Sequence, residues 1–290
     1  MTLLPFDNRE GFMWLNGDLI PWKDANIHVL SHALHYGSCV FEGERAYNSK
    51  IFKLDDHTQR LFDSAKALDI NIPYAPKQIS EACNKILSAQ KILNGYIRPV
   101  VWRGSEQMGV SAQKTKINVA IAAWEWPSYF NPEERLKGIK MNISKWCRPA
   151  PNMAPCHSKA AGLYMICTLS RHEAEANGFS DSLMLDHEGN IAEATGANIF
   201  FVQDGILHTP TPNSFLNGIT RQTVISLAAK RKIQVVDRLI LLSELKNFTE
   251  CFITGTAVEV TPVSLIDKIP FVPGEITKML MKDYDLLVGK

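Results

Sequence analysis

Two residues in the sequence combine charge with surroundings that make that charge chemically useful. Lys159 stands in Ser158-Lys159-Ala160-Ala161-Gly162, where small neighbours leave room for a bulky ligand. The spacing predicts a helix over about 160–176, whose positive end would disfavour an ammonium and make a nucleophilic amine more accessible. By spacing alone, any exposed lysine could stand there. Glu193 lies in Ile191-Ala192-Glu193-Ala194-Thr195-Gly196, near the end of an expected buried strand. A carboxylate in such a place needs a partner; a pyridinium nitrogen would serve, as would an Arg. Two Gly/Thr turns could bind anions. Asn217-Gly218-Ile219-Thr220 precedes a helix, whose first N–H groups and dipole favour negative charge. Thr254-Gly255-Thr256-Ala257 follows a strand. Each turn taken alone reads as well as an ordinary capped loop. An amine, an acid and two anion cradles, with no nucleotide fingerprint, together suggest a small phosphorylated cofactor of the pyridoxal phosphate type.

Other chemistries lack their signatures. His28, His32 and His35 resemble metal ligands, but Val29, Leu30, Ala33 and Leu34 between them indicate a buried segment, and there is no HExxH, so no metal is expected. Neither GxGxxG, GxxxxGK[ST] nor GxSxG occurs. The six cysteines show no CxxC pairing and read as reduced thiols, which suits a cytoplasmic protein. Thirty-one basic against 30 acidic residues give a net charge of +1, too balanced for a nucleic-acid or anionic-membrane partner. No segment approaches the roughly 20 apolar residues of a membrane span, and the mixed start is no signal peptide.

At 290 residues the chain suggests two domains. The first, 1–125, reads as α+β. It has a hairpin turning at Asn16-Gly17, helices near Asp55–Leu68 and Lys77–Gln90, and strands at Tyr96–Trp102 and Ile117–Trp124. Trp126 to Pro132 carries two prolines, which makes 126–136 the expected linker. The second domain, 137–290, should carry strands near Gly138–Trp146, Ser182–Asp186, Asn190–Glu193, Asn198–Val202 and Cys251–Thr254, with a helix at Ile219–Lys232.

Read in order, His32-Ala-Leu-His-Tyr-Gly-Ser-Cys-Val-Phe-Glu-Gly43, Arg45-Ala-Tyr47, Tyr96-Ile-Arg-Pro99, Lys159-Ala-Ala-Gly162, Leu216-Asn-Gly-Ile-Thr-Arg221 and Gly255-Thr-Ala-Val-Glu-Val-Thr-Pro262 resemble the branched-chain amino-acid aminotransferases, class IV pyridoxal-phosphate enzymes of fold type IV. The resemblance runs from about residue 13 to about 265. It implies a small α/β domain, and a larger one with helices and a β-barrel-like sheet. The implied activity is a ping-pong transfer of the amino group of L-leucine, L-isoleucine or L-valine to 2-oxoglutarate, within branched-chain amino-acid biosynthesis. A homodimer or larger assembly of dimers is implied, with sites built at dimer contacts. The related alternatives on this fold are a D-amino-acid or (R)-amine transaminase and aminodeoxychorismate lyase; a non-catalytic binding protein is the reading from another class.

The resemblance also implies residue roles. Lys159 would hold the cofactor and move the substrate proton, Glu193 would partner the pyridine nitrogen, and Tyr164 would bond the phenolic oxygen. Arg60, with Gly218, Ile219, Thr220 and Thr256, would hold the phosphate, while Leu216 packs on the ring. Tyr96 and the amides of Thr256 and Ala257 would take the α-carboxylate, and Arg98 the side-chain carboxylate of glutamate. Tyr36, Phe41, Trp126 and Tyr129 would line the aliphatic pocket. Three positions depart from the family pattern: Glu44 for Ile, Asn217 for Pro, and Ala197 for Glu. They bear on the pocket's charge and on amino-acid preference.

Overall fold

In the computed structural model, which describes residues 4–126 and 132–290, Asn16 and Gly17 take φ of 49° and 110°. A tight two-residue hairpin turn demands positive φ at both positions, which Asn-Gly tolerates best. The turn joins β1 (Phe12–Leu15) to β2 (Asp18–Pro21).

Contacts divide the described residues into two units, 4–126 with Ser158–Gly162, and 132–157 with Leu163–Lys290. Both mix helices with sheet, so the chain is α+β. Of the expected linker, 127–131 lie outside the described residues.

In the first unit, α1 (His32–Tyr36), β3 (Cys39–Phe41), β4 (Glu44–Tyr47) and β5 (Lys50–Ile51) precede α2 (Leu54–Ala67) and α3 (Pro76–Ala89). The long pair β6 (Gly95–Arg103) and β7 (Ile117–Glu125) completes the sheet, in the order β2-β1-β7-β6-β4-β5, with β3 also on β6. Proline at its first turn and the Gln78 side chain accepting from Ala75 N start α3. Its buried stripe of Ile79, Cys83 and Ile86 packs with Leu61 of α2 against Val40, Ile97, Val101 and Ile121 of the sheet. Side chains alternate along a strand, so Tyr96 and Arg98 share the face of β6 opposite Ile97 and Val101. Phe41, whose register partner is Val100, lies on that face too.

The second unit contains α4 (Pro132–Lys137), β8 (Ile139–Ile143), α5 (Tyr164–Ala176), β9 (Asp181–Leu185), β10 (Ile191–Ala194), β11 (Asn198–Gln203) and β12 (Ile206–Pro210). Then come α6 (Ile219–Lys230), β13 (Val235–Arg238), β14 (Glu250–Gly255), β15 (Glu259–Ile266), β16 (Ile269–Pro270) and α7 (Glu275–Leu287). The sheet order is β10-β9-β8-β15-β14-β11-β12-β13, with β16 on β15. Parallel neighbours need a crossover; α5 supplies it between β8 and β9, and α6 between β12 and β13. The first residues of α5 and α6 therefore follow the ends of strands. Met141, Leu183, Ile199, Phe201, Ile253 and Val263 fill this unit's core.

Two expectations fail. The segment around His28, His32 and His35, expected to be buried, leaves Val29, Leu30 and Leu34 exposed, and of the three histidines only His32 is buried. Lys159 does not start a helix: a 3-10 turn at Ala161–Leu163 leads into α5 at Tyr164. Ala160 instead bridges Val40, and the Lys159 carbonyl accepts from Phe41 N. Pairing with β3 holds the backbone extended, so Lys159 does not itself stand at a helix N-terminus.

Among the described residues no helix is long and apolar enough to cross a membrane.

Candidate active site

In the first unit the structure brings Phe41, Tyr96, Arg98, Trp126 and Lys159 together. The Lys159 Nζ lies 5.0 Å from the centre of the Phe41 ring, and the Arg98 guanidinium carbon lies 4.7 Å from it. Arg98 Nη2 donates to the Tyr96 hydroxyl at 3.3 Å, and the Trp126 ring stands 5.4 Å from Tyr96. Opposite Arg98 on β7 is Ala122, whose small side chain leaves the guanidinium room. Arg98 Nε is buried with no hydrogen-bond partner, an unmet donor of the kind a carboxylate satisfies. Tyr36 stacks on His32 at 4.5 Å and is half exposed. Tyr129 lies outside the described residues.

Helix α2 anchors both expected cofactor residues of this unit. Ser64 Oγ accepts from Lys159 N at 2.9 Å. One turn earlier, Arg60 donates to Glu42 through Nε at 2.6 Å and Nη2 at 2.9 Å. The same carboxylate pairs with His57 Nδ1 at 2.8 Å and accepts from Gly43 N at 3.2 Å. Burial would push the Glu42 carboxyl up, but the Arg60 charge and the bonds from His57 and Arg60 outweigh it and hold it well below the usual carboxylate range. For His57, burial wins over the attraction of Glu42 and lowers its pKa.

Glu44 lies on β4 opposite Ile97, so it faces the helices and not the side carrying Tyr96 and Arg98. The Cys83 thiol donates to it weakly at 3.9 Å, while its Oε2 has no partner. Burial, then the neighbouring Glu42 charge, raises its pKa well above normal.

In the second unit Glu193, 8 % exposed, is met by Arg148, whose Nε lies 3.3 Å from Oε1. Of the two partners its sequence context allowed, an Arg is present. Arg148 also donates to the Cys167 thiol at 3.3 Å. Burial opposes the Arg148 charge, but Glu193, Cys167 and Tyr164 outweigh it and raise its pKa. Asn198 Nδ2 donates to Glu193 Oε2 at 3.2 Å and to the Leu216 carbonyl at 2.9 Å. Its Oδ1 accepts from Gly218 N at 3.0 Å. Gly218 caps α6 without a side-chain bond, and no acidic residue occupies the first turn. The N–H groups of Ile219 and Thr220 therefore lie at an uncompensated positive pole. Thr254, opposite Asn198, has a buried Oγ1 with no partner just before Gly255-Thr256-Ala257. Open helix amides and an unmet hydroxyl fit a phosphate, and a held carboxylate fits a ring nitrogen.

Glu42, Arg148 and Asn198 were missed from the sequence. An acid in the apolar run Val40-Phe41-Glu42 demands a partner by the reasoning applied to Glu193; Arg148, in an aperiodic loop, left no comparable signal. The departure at Asn217 has a local role, since its Oδ1 accepts from the fully buried Arg221 at 2.9 Å. Ala197 is buried beside Gly255.

The model of amino-transferase class IV matches residues 39–266. The probable branched-chain-amino-acid aminotransferase of Rickettsia felis is 42 % identical over 99 % of each chain. The branched-chain-amino-acid aminotransferase of Escherichia coli K12 is 38 % identical, covering 95 % of this chain and 92 % of its own. A crystal structure of the T.th. branched-chain amino acid aminotransferase with pyridoxamine 5'-phosphate matches with a TM-score of 0.94 at 38 % identity, covering 97 % of this chain and 94 % of its own. With a family model spanning most of its length and relatives that match it nearly end to end, the chain belongs to the class IV aminotransferases.

Proposed function

We propose that the protein, with pyridoxal 5'-phosphate as its cofactor, transfers the amino group of L-leucine, L-isoleucine or L-valine to 2-oxoglutarate, releasing the branched 2-oxo acid and L-glutamate. The observation that carries this reading is the 38–43 % identity, over 92–99 % of each relative's length, to proteins named for branched-chain amino-acid transamination. When bound, the cofactor supplies an aldehyde that condenses with amines and a ring that accepts the electron pair released as the substrate Cα–H bond breaks.

The chain's own residues do the rest. Lys159 would hold the cofactor covalently through Nζ, and its amine, when free, would be the base that moves the proton at the substrate Cα. Its backbone is fixed between Ser64 and Phe41, which keeps the amine in place between the two tasks. Glu193 meets the ring nitrogen and Tyr164 the phenolic oxygen, while Leu216 covers a ring face. Arg60 holds the phosphate along with Gly218, Ile219, Thr220 and Thr256. Thr256, Ala257 and Tyr96 orient the α-carboxylate. Tyr36, Phe41, Trp126 and Tyr129 surround an aliphatic side chain, and Arg98 answers the second carboxylate when glutamate takes its place. One site can then accept both substrates in turn, as a ping-pong exchange requires. A homodimer or an assembly of dimers, acting in the cytoplasm, completes the proposal.

The test is the visible spectrum of the purified protein before and after L-leucine, with no oxo acid present. Loss of the yellow band on adding leucine is the expected result. A yellow protein bleached only by a D-amino acid or an (R)-amine would overturn the substrate, and a protein that takes up no pyridoxal phosphate would overturn the cofactor.

A further inference from the structure

We propose that Asn198 is a positioning residue that locks the acid for the ring nitrogen and the anion-binding end of α6 into one fixed relationship. The inference rests on the cofactor reading above and adds to it a side chain with no assigned contact to cofactor or substrate. Asn198 opens β11, is 4 % exposed, and has its backbone set by pairing opposite Thr254. Both Nδ2 hydrogens are committed, one to Glu193 Oε2 and one to the Leu216 carbonyl, while Oδ1 takes the Gly218 N–H.

That pattern dictates the residue type. Reversing the amide would set its oxygen against a carboxylate and a carbonyl, and its NH2 against an N–H, so only one orientation satisfies all three bonds. Aspartate offers no donor and would place a second negative charge against Glu193. A hydroxyl cannot make two donations. The approach also explains glycine at 218: a Cβ there would lie 2.2 Å from Asn198 Oδ1.

The two ends it joins have different duties. Arg148 holds the other oxygen of Glu193, so the Asn198 bond completes the grip on both oxygens. At the far end, Gly218 is the N-cap of α6, and its position decides where the Ile219 and Thr220 amides point. A planar group bonded to both leaves little freedom in the separation of carboxylate and amides. A rigid ligand that must meet the acid with its ring and the amides with its phosphate needs that separation fixed.

The experiment compares the parent with Asn198→Ala, Asn198→Asp and Gly218→Ala. It measures melting temperature, affinity for pyridoxal phosphate and for unphosphorylated pyridoxal, and the pH profile of the bound cofactor's visible band. Asn198→Ala should weaken pyridoxal phosphate at least tenfold and shrink the preference over pyridoxal. Asn198→Asp should in addition shift the spectral pH profile. Gly218→Ala would crowd Asn198 Oδ1 at a residue itself placed at the phosphate, and should show at least the same loss of preference as Asn198→Ala. Variants that melt lower but keep both affinities and the spectral profile within twofold of the parent would overturn the proposal, since a purely structural asparagine would behave that way. A parent that takes up no pyridoxal phosphate would overturn the underlying reading, and the proposal with it.

Discussion

Glu42 grips Arg60 side-on, with Oε1 2.6 Å from Nε and Oε2 2.9 Å from Nη2. Two parallel bonds fix the plane of the guanidinium as well as its position. That edge of the guanidinium is committed to Glu42 and is not available to a further anion. In the phosphate-holding role proposed for Arg60, the acid behind the arginine would set the direction of that contact.

Replacing Glu42 by Gln should therefore act on both stability and cofactor. Removing one partner of a buried pair leaves a poorly compensated charge, at a cost of about 3 kcal/mol. Glu42 has a depressed pKa in the folded state, so its contribution is present above the ordinary carboxylate range and is lost as the pH falls below it. Urea unfolding of Glu42→Gln and the parent should show a wide gap at pH 7 that starts to narrow below about pH 4 and shrinks progressively with further acidification. Cofactor affinity should fall at least tenfold. A gap independent of pH would contradict the charge assignment.

Glu44 behaves in the opposite sense. Its folded-state pKa is raised, so ionisation favours the unfolded chain and stability is lost as the pH climbs above the unfolded carboxyl value. Glu44→Gln removes the titration. The variant should gain on the parent by about 1.4 kcal/mol per pH unit, starting near pH 4.5 and levelling off once the folded-state pKa is passed. Denaturation curves at pH 5 and pH 8 check this, and equal differences at the two values would refute it.

The elements easiest to read were those whose apolar residues keep a period. The stripe Ile79, Cys83, Ile86 marked α3, and the branched and aromatic runs marked β6 and β7. The hairpin at Asn16-Gly17 was legible from two residues. Short or edge elements such as β5, β13 and β16 lack enough residues to show a period, and were not read. The local structure at Lys159 was misjudged because the residues that hold this segment extended, Val40 and Phe41, are far away in sequence. Distance also hid the supporting residues. Glu42 finds Arg60 18 positions on, and Arg148 finds Glu193 across 45, a separation no spacing rule covers. Individual chemistry shows in a sequence, whereas who holds whom is decided by sheet order.

Lys159→Ala should leave the fold standing while abolishing transamination. The side chain makes its ring contact through Nζ, 5.0 Å from the Phe41 centroid, while the interactions that anchor the segment, with Ser64 and Phe41, run through its backbone. Melting temperature should move by only a few degrees, and activity should fall by several orders of magnitude. An alanine variant that retained full activity would show that another amine carries the proton.

Arg98→Ala tests how one apolar site receives both leucine and glutamate. Arg98 lies over the Phe41 ring, is bonded to the Tyr96 hydroxyl, and has a buried Nε lacking a partner. Leucine offers that nitrogen nothing, whereas the second carboxylate of glutamate or 2-oxoglutarate can satisfy it with a charge-assisted bond of about 2–3 kcal/mol. Losing it should lower kcat/KM for glutamate and 2-oxoglutarate by roughly 30–150-fold. The change for leucine should be within a fewfold, reflecting only lost packing against Phe41 and Tyr96. Single-turnover rates with each amino acid separate the two half-reactions. Equal losses would place Arg98 on the shared α-carboxylate, and leave the discrimination between an aliphatic and an acidic side chain to other residues.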